Sequence, residues 1–116
     1  MVMGLESVLR GLKANVLVEA VYLTGRILSH RLSQKVFLKQ VADEVKAPER
    51  KAVKDAVQAI LSEIEREQRQ PIKELAPGAR SKYVKVLDSM SRRLLRTETP
   101  QTEVKKALNS LRSIAQ

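Results

Sequence analysis

The chain has 116 residues and a mass of 13.1 kDa, enough for one domain with one real core, which excludes a two-domain enzyme. Hydrophobic residues make up 43% and charged residues 30%, the balance of a folding chain, and 22 Lys and Arg against 13 Asp and Glu leave a net charge of +9 that calls for a polyanionic partner, nucleic acid first. Without cysteine there are no disulfides, thiolate metal sites or cysteine nucleophile, and one histidine cannot make an imidazole cluster, so no metal or cofactor is expected.

The start, Met1-Val2-Met3-Gly4-Leu5-Glu6, lacks the basic stretch and cleavage site of a secretory signal, and no apolar run reaches membrane-spanning length. The expectation is an intracellular protein, cytoplasmic with the nucleoid or carried in a virion, with no membrane partner. Abundant Val, Lys, Arg and Glu without Cys suggest a heat-adapted source. Tyr22, Phe37 and Tyr83 are the only aromatics, so the core must be built from Leu, Val, Ile and Ala, which suits packed helices.

Four glycines and four prolines punctuate segments whose apolar spacing is three to four residues, which predicts an all-α bundle of about five helices in a single domain over 1–116. The first helix is expected over about 5–32, the second over 33–46, and the third over 48–70, with Pro48 at its first position. Val53, Ala56, Val57, Ile60, Leu61 and Ile64 form the apolar stripe of the third. A loop over 71–79, containing Pro77-Gly78, precedes a fourth helix over 79–96. Thr99-Pro100 is a cap and first-turn pair for a fifth over 100–115.

The first helix is apolar nearly all round between Ala14 and Leu28, so something must cover every side of it. It is either the central helix of the bundle or a helix completed by a second protomer. The second case makes Val16, Val18, Val21 and Tyr22 a homo-oligomer interface.

The run Leu38-Lys39-Gln40-Val41-Ala42-Asp43-Glu44-Val45-Lys46-Ala47-Pro48, continuing to Val53, Ala56, Val57 and Ile60, resembles a generic helix-turn-helix over about residues 38–61. The resemblance implies that Ala42 lets two helices cross closely, flanked by Leu38, Val41 and Val45. It also implies that Arg50, Lys51 and Lys54 face the major groove. Lys46 stands where a turn glycine is usual, the turn is about one residue long for the motif, and nothing after it reads as a wing.

On the fourth helix, steps of 100° put Tyr83, Leu87, Met90 and Leu94 on one side. Lys82, Lys85, Ser89, Arg92, Arg93 and Arg96 fall on the other, with Asp88 outside the basic arc. Five cations without an acidic neighbour on their own face repel one another unless an anion covers them, and serine is a usual phosphate donor. A second acid-free stretch, Ala20 to Ala42, carries Arg26, His30, Arg31, Lys35 and Lys39. Glu63, Glu65 and Glu67 crowd the end of the third helix, where pairs such as Glu65 with Arg69 are expected.

No nucleophile elbow, glycine-rich phosphate loop or paired carboxylate accompanies His30, so neither catalytic residues nor a small-molecule substrate is expected. The aromatics are too few and scattered to stack single-stranded bases, which favours duplex DNA over RNA. The expected function is structural: a basic helical protein that coats, compacts or packages DNA through phosphates and self-association, similar in type to small coat and chromatin proteins. A dimeric helix-turn-helix regulator and a small adaptor subunit of a ribonucleoprotein or polymerase complex are the alternatives.

Overall fold

A computed structural model describes residues 4–29 and 33–114. The described chain is an all-α bundle without strands, and it has six helices where the sequence predicts five. The extra one arises because the first helix breaks. Helix α1 spans Leu5–Arg10 and α2 spans Ala14–Leu28. Gly11 ends the first, and Lys13 turns to an extended conformation (φ −67°, ψ 153°) that starts the second. This break folds α1 back against the third long helix and the last helix.

Helix α3 spans Gln34–Glu44, and the Ser33 side chain accepts a hydrogen bond from the Val36 N–H at 3.3 Å, the N-cap its sequence invites. A single 3-10 turn at Ala47–Glu49 holds Pro48, and α4 follows as Arg50–Gln68. Arg69 ends α4 in the left-handed position that glycine usually fills (φ 56°), and Gln70 N–H bonds back to Glu65 O. After Pro71 and a second 3-10 turn at Ile72–Glu74, helix α5 spans Pro77–Leu94. Pro77 and Gly78, expected in a loop, are therefore its first turn: proline has no N–H to lose there and its φ already suits the helix. Helix α6 spans Pro100–Ile114. The Thr99 hydroxyl lies 3.3 Å from that of Thr97.

Helix α2 is the centre of the bundle. It packs most extensively against α5 and then against α4, and Val16, Leu17, Ala20, Val21, Leu23, Ile27 and Leu28 are all buried. Buried Thr24 satisfies its hydroxyl on Ala20 O at 2.7 Å. The apolar stripe of α4 is buried as expected, joined by Tyr83, Leu87, Met90 and Leu94 of α5 and by Val104, Ala107, Leu108 and Leu111 of α6. Each fully buried aliphatic side chain of this kind contributes about 1.5–3 kcal/mol.

Two expectations are corrected by this packing. Val16 and Val21 are covered by the chain's own helices, at 4% and 0% exposure, so they cannot meet a partner; of the four interface candidates only Tyr22 is exposed, with Val18 half-buried beside it. The helix-turn-helix crossing is not formed at Ala42 either. Ala42 and Leu38 are exposed, while Val41 of α3 and Val45 just past its end are buried as expected and Phe37 takes the inward place expected of Leu38. The spacing of Phe37, Val41 and Val45 at every fourth residue rotates the buried stripe away from Ala42.

Candidate nucleic-acid interface

Helix α5 carries two opposite faces. Tyr83, Leu87, Met90 and Leu94 lock one face into the core, which forces Lys82, Lys85, Arg92 and Arg93 outward, and all four are exposed. Ser89 is half-buried among them. Arg96, expected on the same helix, lies just past its end in the turn where Arg96 N–H bonds Arg93 O, and it too is exposed. From Lys82 to Arg93 the helix rises about 16 Å, roughly five base-pair steps of a duplex at about 3.4 Å each.

The ridge is not wholly free of acid, because α6 lies beside it. Arg93 forms an ion pair with Glu103 at 3.7 Å and donates a 2.6 Å hydrogen bond to Ser89 Oγ. Lys85, Ser89 and Arg93 of α5 and Glu103 and Ser110 of α6 line a groove of about 190 Å³. Glu103 is therefore a site residue that helix-by-helix reading misses. Its contact with Arg93 joins two helices, and spacing within one helix carries no signal for it. Ser110, four residues from Lys106, bonds its hydroxyl to Lys106 O at 3.2 Å.

The other predicted readers are differently placed. Arg50 turns its Nε back to Val45 O at 2.9 Å, clamping the connection between α3 and α4, and Lys51 pairs with Asp55 at 2.8 Å, a hydrogen bond that raises the Lys51 pKa. Lys54 is half-buried. Lys35 and Lys39 are exposed on α3, while His30 and Arg31 lie outside the described residues. Arg26 lies 5.7 Å from the centroid of the Tyr22 ring and donates to Tyr22 Oη at 2.9 Å, so the exposed strip of α2 is a cation resting on an aromatic.

Arg80 was not singled out by the sequence, although it sits three residues before Tyr83 and seven before Leu87, on the apolar side of α5. It is 4% exposed. Its guanidinium donates to three carbonyls: Leu28 O at 2.9 Å, Leu75 O at 3.3 Å, and Ile72 O. One side chain thus ties the end of α2 to the chain entering α5. Burial lowers its pKa, and among the described residues it has no ion-pair partner.

Two groups of acidic residues are tied into local contacts. Asn15 donates to Glu49 at 3.0 Å in a recess between α2, α3 and the first 3-10 turn that Glu19 and Glu44 also line; burial and then the Glu44 charge raise the Glu19 pKa. At the end of α4, Glu63 pairs with Arg66, and Glu65 accepts from Ile72 N–H at 2.9 Å instead of pairing with Arg69. Burial, then Glu63, raises the Glu67 pKa.

Among the described residues no group of three or more His, Asp or Glu side chains is arranged to hold a metal ion, and no helix is long and apolar enough to cross a membrane. The chain matches no protein-family model, no curated protein and no solved structure.

Proposed function

We propose that this protein binds duplex DNA chiefly through its phosphates, along the outward face of α5, and coats, compacts or packages it rather than reading its sequence or catalysing a reaction. The observation that supports this reading is the ridge itself. Lys82, Lys85, Arg92, Arg93 and Arg96 are all exposed along one line, and among the described residues only Arg93 of the five has an ion-pair partner. Such a line of charge suits contact with successive phosphates, which position a protein on a duplex without specifying its sequence. Arg50 Nε is bonded to Val45 O and Lys51 is paired with Asp55, so part of the charge that a sequence-reading protein would present there is already engaged. Self-association through Tyr22 and Val18 belongs to the same proposal, supported by the 44% exposure of the Tyr22 side chain on the central helix.

Fluorescence anisotropy on unrelated duplexes of equal length, across a salt series, tests the reading. Similar affinity for all duplexes is expected. In the triple variant Arg92→Ala, Arg93→Ala, Arg96→Ala, the magnitude of the log-log salt slope is expected to fall by up to about 2.7, from about 0.9 per lost phosphate contact. An unchanged slope removes the ridge from the interface. A preference of about 10³ for one sequence makes the protein a regulator, whose base contacts would be sought by repeating the measurement with Arg50→Ala. A preference for RNA favours the adaptor reading. Light-scattering mass with and without random duplex tests self-association, and a protein monomeric at high concentration and on DNA ends that part of the proposal.

A further inference from the structure

The groove between α5 and α6 holds a carboxylate at the place where a polyanion interface would want a phosphate. Glu103 is only 13% exposed in its side chain, and among the described residues it is the one acidic residue lining a groove whose α5 wall carries Lys85, Ser89 and Arg93 beside Val86 and Met90. Its Oε2 lies 3.7 Å from Arg93 NH1, near enough for attraction but beyond hydrogen-bond reach, and that buried oxygen has no hydrogen-bond donor among the described residues. Arg93 meanwhile spends its NH2 on Ser89 Oγ. The anion is thus held by charge alone, next to a guanidinium and a hydroxyl already oriented together. A carboxylate with unmet acceptor capacity beside a cation is a poor structural pair and an effective electrostatic competitor.

We propose that Glu103 is an intramolecular competitor that sets the strength of a phosphate contact in this groove. In the free protein it neutralises part of Arg93. Through that ion pair it lowers the charge that Arg93 offers to a duplex phosphate lying against Lys85, Ser89 and Arg93, and the groove contributes less than its cations alone would give. The chain thereby keeps one contact of its ridge weak. This inference rests on the ridge being the phosphate-binding surface.

The test compares wild type, Glu103→Gln, Arg93→Ala, the Arg93→Ala/Glu103→Gln double variant, and Glu74→Gln on one random duplex across a salt series. Glu103→Gln is nearly isosteric, and circular dichroism melts confirm that each variant is folded. Glu74 is exposed and in no ion pair among the described residues, so Glu74→Gln controls for the unit change in net charge. Glu103→Gln is expected to tighten binding about threefold or more and to raise the magnitude of the salt slope by up to about 0.9. Glu74→Gln should do neither. The gain should vanish when Arg93 is already Ala. Wild-type binding with no gain in Glu103→Gln, or a gain equal to that of Glu74→Gln or retained in the double variant, overturns the competitor while leaving the ridge in place. No duplex binding by wild type or by Glu103→Gln overturns both.

Discussion

Arg80 and Arg93 stand on the same helix and have opposite fates. Arg80 enters the core with no carboxylate partner among the described residues and spends its donors on three backbone carbonyls. Arg93 stays at the surface with a hydroxyl and a distant carboxylate. The comparison teaches that a basic count does not measure a binding surface. One of the cations of α5 is a fastening for loops, and its removal should affect stability, whereas removal of the others should affect affinity.

The largest expected effect is therefore on the inner face. Arg80→Leu leaves the Leu28, Ile72 and Leu75 carbonyls without their donor and should destabilise the protein by about 3–5 kcal/mol, read as a fall in melting temperature of more than ten degrees or so. A melting temperature within a few degrees of wild type would mean that water replaces the guanidinium, and the contrast between the two faces would collapse. Next in size is the α2 strip. Val18→Asp, at a half-buried site, should cost about 1–2 kcal/mol, while Tyr22→Asp should stay within about 0.5 kcal/mol, because that side chain is exposed and an aspartate there can still pair with Arg26 four residues on. Both should lower the mass of any oligomer.

A smaller and opposite effect is expected at Gly25, which lies on α2 against the edge between the two faces of α5. A Cβ added there would sit 3.5 Å from Asp88 Oδ1, ordinary contact distance. Gly25→Ala should then gain about 0.5–1 kcal/mol by stiffening the unfolded chain and improving helix propensity; a loss would show that the crossing is tighter than the backbones suggest.

The pH dependence sharpens the inner side further. Glu67 and Glu19 have pKa values raised in the fold above the ordinary 4.5, so both bind protons more readily folded than unfolded. Their contribution is fully present below 4.5 and is lost as pH rises through the raised values. Glu67→Gln should accordingly raise the melting temperature at neutral pH and flatten its change between neutral and mildly acidic pH. An unaltered profile would assign the dependence to other groups. The smallest stability change belongs to the ridge: Arg92→Ala should lie within about 0.5 kcal/mol of wild type while weakening duplex binding.

Helices with one clean stripe were legible from spacing alone, as α4 and α6 show, and the outward turn of Lys82, Lys85, Arg92 and Arg93 follows from the inward stripe of Tyr83, Leu87, Met90 and Leu94. The break at Gly11 to Lys13 was hidden because Leu9, Leu12 and Val16 keep helical spacing straight through it. Pro77-Gly78 looked like a turn because the pair is common in turns, yet proline opening a helix has the same local sequence. Arg80 was legible in principle, since its register places it with Tyr83 and Leu87, but a charge is ordinarily assigned to water. The Arg93–Glu103 contact had no local signal at all. Neither did the tying of Arg50 to Val45 O, which depends on the path of the turn rather than on residue type.

The break after Arg10 has a consequence for how the bundle comes together. Helix α1 has only six residues, too few to hold a helix unaided. It is ordered because Leu5 and Leu9 are buried, in a helix that packs on α4 and α6. The seat for the earliest described helix is thus made in part by the latest, and bringing them together closes a loop of nearly the whole chain. In a refolding experiment α1 should be the last helix to gain amide protection, and in the native protein the first to lose it, acting as a latch whose state reports whether α6 has docked.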